Sequence, residues 1–307
     1  MLEHGEFAMH ELNLSHRMWM GGAMAMMAGL APDSAGAAPF ASDRMSVRVE
    51  GAGPDVILVP GLNSSPRVWA STVAALPGYR FHLVHIAGFG GQPAAGNRAG
   101  DVAAPVAEEI ARYIGAAGLK QPAVIGHSLG GSIGMMLASR HPAALSRLMV
   151  VDIFPYMGVM FGGPGATPAE VAAVADRIAA GMRAASPAQR AAAARELIDG
   201  MVNNVGMRPV ALADTLASDP DVGTRAFHEL IVINLIPALK RIAVPVTVLY
   251  VQPKSVPLPA AQFDSGYKTA YASIGQLTLK RIPDSAHFIM WDQPARFRDE
   301  VAAFLDK

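Results

Sequence analysis

The 307-residue sequence contains no cysteine, which excludes a disulfide, a thiolate nucleophile and any zinc or iron–sulfur site built on thiolates. The redox compartment stays open, because a cysteine-free chain tolerates cytoplasm and periplasm alike. Charge is scarce too: 16% of residues are charged, against roughly a quarter in an ordinary globular protein. Hydrophobic residues reach 51%, so the chain has material for a large core and does not read as disordered. Neither sign of charge is in excess, with 25 basic side chains against 25 acidic ones. A net charge of +0 offers no basic field to nucleic acid or an anionic membrane, and neither partner is expected.

A long hydrophobic run is missing as well. The apolar stretch Met18–Leu30 has about 13 residues, short of the roughly 20 that cross a bilayer. Arg17 precedes it and the small residues Ala35-Gly36-Ala37-Ala38 follow, the layout of a bacterial secretory signal with its cleavage site. Glu3, Glu6 and Glu11 are out of place in such a segment, and a start at Met9 would still retain Glu11. Residues 1–42 are therefore expected to be a signal, giving a periplasmic or secreted protein. The alternative is an uncleaved helical arm on a cytoplasmic protein, packed on the body or on a second subunit.

From Asp43 onward, short β-rich runs alternate with helical ones, which argues for a parallel sheet covered by helices. Ser46–Glu50 alternates like a half-exposed antiparallel strand, whereas Asp55–Val59, Phe81–Ile86, Ala123–Gly126 and Leu148–Asp152 are apolar enough for strands buried on both faces. Further strands are expected at Val246–Val251 and Leu277–Ile282. Val102, Val106, Ile110, Tyr113 and Ile114 recur at helical spacing, with Asp101 placed to cap that helix. His82 and His85 fall on a buried strand, on opposite faces, and read as satisfied histidines rather than a metal pair. A closing helix is expected after Pro294, with Phe297, Val301, Phe304 and Leu305 on one face.

Residues 154–240 break the alternation, offering helical signals and no convincing strand. Thr167-Pro168-Ala169-Glu170 and Ser186-Pro187-Ala188-Gln189 both have the form of a capping box with proline at the first helical position. The expected organisation is a core of residues 43–153 and 241–307 carrying an inserted helical cap or lid over 154–240. Its opening, Tyr156–Gly165, mixes large apolar side chains with glycines, which suits either a mobile apolar wall or the cap's own core.

The chemistry sits at the end of the short run Ala123-Val124-Ile125. In Gly126-His127-Ser128-Leu129-Gly130-Gly131 a serine stands between two glycines, directly after a strand and before a helical pattern. A nucleophile elbow needs this: the turn leaves no room for side chains two positions either side, and it pushes the hydroxyl out above the sheet. The following helix points its N-terminal amides at the place where an oxyanion would form.

With this elbow the chain resembles the α/β-hydrolase family, and within it the esterase and lipase-like branch, over residues from about 47 to 305. The resemblance implies a mostly parallel central sheet flanked by helices, with the cap inserted after the family's sixth strand. It implies an oxyanion hole made by the amide after the nucleophile, Leu129, and one from the loop Val59-Pro60-Gly61-Leu62-Asn63, that of Leu62. Pro60 stands where the family usually has histidine, and Asn63 suits a turn-stabilising role. The base is implied at His287, in the loop between the last strand and the closing helix. The elbow turn directs His127 away from the hydroxyl, and His141 and His228 read as surface or cap residues.

The acid is less directly implied. The family usually carries it after the seventh strand, yet Val251–Pro257 has no carboxylate and Asp264 is the first available. Some members place it after the sixth strand, where Asp152 closes an apolar run and needs a partner. Asp152 is the leading candidate, with Asp264 and Asp284 as alternatives. The implied activity is cofactor-free and metal-free serine hydrolysis of a small-molecule carboxylic ester, expected to have an apolar acyl or alcohol part, through a Ser-His-Asp triad and an acyl-enzyme. A serine at 128 argues against the family's haloalkane dehalogenases and epoxide hydrolases, which require aspartate there. The alternatives are a carbon–carbon bond hydrolase, a thioesterase, a cofactor-free haloperoxidase, or a binding protein with a relict triad.

Overall fold

The apolar β-branched runs pair into one sheet in the computed structural model, which describes residues 40–306 apart from Pro164 and Ser255. The signal or arm expected over residues 1–42 lies almost wholly outside the described residues. The strands are β1 (Met45–Gly51), β2 (Asp55–Val59), β3 (Arg80–Ile86), β4 (Ala123–His127), β5 (Arg147–Val151), β6 (Val246–Tyr250) and β7 (Leu277–Arg281). Their order is β1-β3-β2-β4-β5-β6-β7, with β1 antiparallel to β3 and the other pairs parallel. This is an α/β-hydrolase fold with a seven-stranded, mostly parallel sheet. Because the strands from β2 onward run the same way, the segments that follow β2, β4, β5, β6 and β7 all emerge at one end. Open α/β sheets take their ligands at that end.

The helices are α1 (Ala70–Ala75), α2 (Ala103–Ala116), α3 (Leu129–Arg140), α4 (Gly158–Gly162), α5 (Pro168–Ala184), α6 (Pro187–Met201), α7 (Arg208–Ala217), α8 (Pro220–Val232), α9 (Ile236–Leu239), α10 (Ala260–Ala270), α11 (Ile289–Asp292) and α12 (Pro294–Leu305). Two apolar layers hold the sheet. On one face α2 and α3 pack against residues such as Ile57, Val84 and Val150. On the other, α12 and the Trp69 region cover Leu58, Ile125 and Met149. Residues Leu129 to Ser139 of α3 are all buried, so Ser128 leads into a helix packed on every side from its first turn. No helix among the described residues is long and apolar enough to cross a membrane.

Between β5 and β6 the chain runs through α4 to α9 without a strand among the described residues. Both capping boxes close: the Thr167 and Ser186 hydroxyls accept from the amides of Glu170 and Gln189, whose side chains reach back to the cap amides. Phe161 of α4 meets Phe227 edge-on at 5.7 Å, while Val159 and Met160 beside it are exposed. The Tyr156–Gly165 stretch is thus divided between the inserted segment's own core and solvent.

One local expectation fails. Asp101 does not cap α2, whose N-cap residue is Val102 without a side-chain bond. The amides of Val102, Ala103 and Ala104 instead donate to the Glu229 carboxylate of α8, at 2.8, 2.8 and 3.0 Å. A carboxylate buried in the body takes three orphan N–H groups at once, which a solvent-facing neighbour in the sequence cannot match.

Candidate active site

The elbow is steric in origin. Ser128 lies between β4 and α3 at φ +53° and ψ −121°, a backbone conformation that costs a non-glycine residue on the order of 1–3 kcal/mol and is held by its surroundings. A Cβ on Gly126 would stand 2.1 Å from the Gly130 carbonyl oxygen, and one on Gly130 would stand 2.2 Å from that of Val59. Both positions therefore admit only glycine. The Ser128 amide donates to the Val151 carbonyl at 2.8 Å, continuing the β4–β5 register beyond its last pair, His127 with Val151. That register sets Ser128 beside Asp152.

Asp152 follows β5 at φ +54° and is 8% exposed. Its amide donates to Leu249 at 2.7 Å, and its Oδ1 accepts from the Val251 amide at 3.0 Å, so two bonds to the β6 strand and its exit fix the carboxylate. The Tyr267 hydroxyl lies 3.5 Å from the same oxygen. Its other oxygen, Oδ2, is 2.6 Å from His287 Nδ1. His287, in the segment after β7, thus reaches back across β6 to the end of β5. An imidazole that donates from Nδ1 to a carboxylate keeps its Nε2 lone pair for another group. Neither His287 Nε2 nor Ser128 Oγ has a hydrogen bond among the described residues, which leaves both free to engage each other and a substrate.

Neither alternative carboxylate is bonded to His287 among the described hydrogen bonds. Asp264 accepts from the Tyr250 hydroxyl at 3.0 Å and from Arg281 Nε at 2.9 Å. Burial and this carboxylate push the Tyr250 phenol up to about 12. Asp284 turns the chain after β7 at φ +56°, its carbonyl accepting from Gln293. His82 and His85 are satisfied by Tyr113 and Asp55, and by Phe89 and Gln92, respectively.

Two amides face the same region. Leu129 is the first residue of α3, so its N–H lies outside the helix ladder. Leu62 follows Gly61, where a Cβ would stand 3.1 Å from Ser128 Cβ; the loop lies directly against the nucleophile. Among the described hydrogen bonds, neither the Leu62 nor the Leu129 amide has an acceptor. Asn63 does turn the loop, at φ +53°.

The structure adds a residue that sequence position undervalued. His127 is 1% exposed and its Nε2–H donates to the His287 carbonyl at 3.0 Å, while its ring packs 4.6 Å from the His287 ring and 4.8 Å from Phe288. Burial, and then the neighbouring His287, push its pKa well below the usual histidine range. It is a neutral buttress between the elbow and the His287 segment. Its place inside the elbow motif was the only available signal.

The chain belongs to the alpha/beta hydrolase family, whose model matches residues 56–300. Over 128 residues it is 38% identical to a pimeloyl-acyl-carrier-protein methyl ester esterase of Aeromonas hydrophila, a match covering 40% of this chain and 48% of that relative. The chain spans about half the length, or less, of the curated relatives it matches. Among solved structures, a thermophilic esterase from Thermogutta terrifontis has a TM-score of 0.70 at 19% identity, covering 85% of this chain and 93% of that one. An enol-lactonase from Burkholderia xenovorans has a TM-score of 0.66 at 19% identity, over 86% and 96% of the two chains. The two structures speak for the fold alone.

Proposed function

We propose that the protein is a serine hydrolase of small carboxylic esters, working through Ser128, His287 and Asp152 without a cofactor or metal. The observation that carries this reading is the 2.6 Å bond from His287 Nδ1 to an Asp152 carboxylate anchored beside the strained Ser128. A serine hydroxyl is a poor nucleophile until a base takes its proton. With Nδ1–H given to Asp152, His287 Nε2 removes the Ser128 proton as Oγ attacks the ester carbonyl. The Leu62 and Leu129 amides stabilise the oxyanion, and His287 returns the proton to the departing alcohol. Water then enters by the same route in reverse and releases the acid from the acyl-enzyme. Esterase names among the relatives support the ester as substrate. The half-buried apolar side chains of Phe154 and Met157, which follow Asp152 in the chain, support an apolar acyl or alcohol part.

The test is hydrolysis of short p-nitrophenyl esters by the wild type and by Ser128→Ala. The variant is expected to lose several orders of magnitude in kcat with its circular dichroism unchanged. Retention of more than about a tenth of the wild-type rate would refute the assignment.

A further inference from the structure

We propose that Asp214, a carboxylate of α7 far outside the catalytic constellation, positions the oxyanion loop and thereby the Leu62 amide; the proposal rests on the serine-hydrolase reading. Asp214 is 2% exposed, and a carboxylate so buried needs charge-assisted partners. It has three. Its Oδ2 accepts from the Ser65 amide at 3.0 Å and from the Ser65 hydroxyl at 2.7 Å, while Oδ1 is paired with the Arg67 guanidinium. Ser65 ends the segment that begins at Gly61, so one end of the loop is pinned by the inserted segment. The other end is pinned by the nucleophile, since Gly61 abuts Ser128 Cβ and His127 Nδ1 so closely that a Cβ would stand 3.1 Å from each.

The middle of the loop meets the same segment. Ser218, at the end of α7, donates to the Asp214 carbonyl at 2.8 Å with the Asn63 carbonyl 3.4 Å away, and accepts from the Gly90 amide at 2.9 Å. Asn63 itself packs against α8 at Gly223, where a Cβ would stand 2.7 Å from its Oδ1. Leu62 is therefore a loop amide without an acceptor among the described hydrogen bonds, held between residues clamped on both sides. An oxyanion donor is effective only where its N–H is fixed in advance at the position the charge will occupy. Asp214 supplies that fixation from the side remote from Ser128, without touching substrate.

The experiment compares wild type, Asp214→Asn and Ser65→Ala, using p-nitrophenyl acetate turnover, the rate of Ser128 labelling by a fluorophosphonate, and inhibition by a trifluoromethyl ketone that forms a tetrahedral adduct with the serine. Labelling and turnover by the wild type are read first, and their absence sinks the hydrolase reading, not the positioning role alone. Given an active wild type, Asp214→Asn should lower kcat by about 10- to 100-fold with KM within about threefold. The labelling rate and the ketone affinity should fall in proportion to kcat/KM. Ser65→Ala retains the Ser65 amide bond and should show the same pattern at about a third to a tenth of the wild-type kcat. A folded Asp214→Asn protein with wild-type kcat overturns the proposal. So does one with a lowered Tm but unchanged ketone affinity, since that is loss of structure alone. Should Asp214→Asn fail to fold, Ser65→Ala decides: wild-type kcat and ketone affinity overturn the proposal, and a matched fall in both supports it.

Discussion

One carboxylate answers three donors at Asp152: the Val251 amide, His287 Nδ1 and, at 3.5 Å, the Tyr267 hydroxyl. Asp152→Asn keeps the shape and the bond from Val251, but an amide cannot stabilise an imidazolium and can present a donor to Nδ1, selecting the wrong tautomer. A loss in kcat of roughly a thousandfold or more is expected in steady-state ester hydrolysis. Asp264→Asn should cost little, because that carboxylate serves Tyr250 and Arg281 and makes no contact with His287 among the described hydrogen bonds. Near-normal turnover by Asp152→Asn beside a crippled Asp264→Asn would reverse the assignment. Residues of this kind were unequally legible in the sequence. Ser128 announces itself because two glycines two places either side are a steric requirement, visible wherever the turn occurs. His287 and Asp152 have no such local signature: what joins them is a crossing of β6 that depends on strand order. His127 was read as turned from the hydroxyl, and nothing beyond its place in the elbow motif pointed to its bond with the His287 backbone.

The strands, and the starts of α5, α6 and α12, were legible to within a residue or so. Parallel strands buried on both faces leave apolar runs without alternation, and the two closed capping boxes leave their four residues in order. What local reading missed is a long-range cap. The α2 helix begins on a carboxylate supplied by α8, 125 to 127 positions along the chain. Glu229→Gln keeps one acceptor oxygen but turns an amide N–H₂ toward a helix N-terminus and removes the charge that favours it. The expected loss is about 1–3 kcal/mol in urea unfolding, with activity per titrated serine unchanged. A variant as stable as wild type would mean that solvent satisfies those three amides equally well.

For the molecule as a whole, the stacked tyrosines at the β6–α10 contact are expected to contribute a dependence of stability on alkaline pH. The Tyr250 and Tyr267 rings lie 4.0 Å apart, and Tyr267 and Tyr271 are nearly parallel at 6.3 Å. Burial, aided by Asp264, pushes Tyr250 up to about 12, and burial with Asp152 holds Tyr267 and Tyr271 well above the ordinary phenol value. In the unfolded chain these phenols ionise near pH ~10. The folded values are raised, so the unfolded state binds fewer protons above that pH. This contribution to stability is whole below pH ~10 and is lost progressively as pH climbs toward about 12. A thermal melt series should show Tm falling across that window. A Tm unchanged between pH ~10 and about 12 would contradict it.

The clamps around the site also set when activity can arise during folding. Ser65 meets Asp214 across 149 positions, Asp152 meets His287 across 135, and His127 meets the His287 carbonyl across 160. Closing loops of that length is slow compared with forming any single helix or hairpin. A chain emerging from the ribosome carries Ser128 and Asp152 long before His287 exists. On the proposed mechanism, hydrolysis would therefore be a property of the finished tertiary structure alone, and a partly folded or half-synthesised form of the protein would not attack an ester at the wrong time.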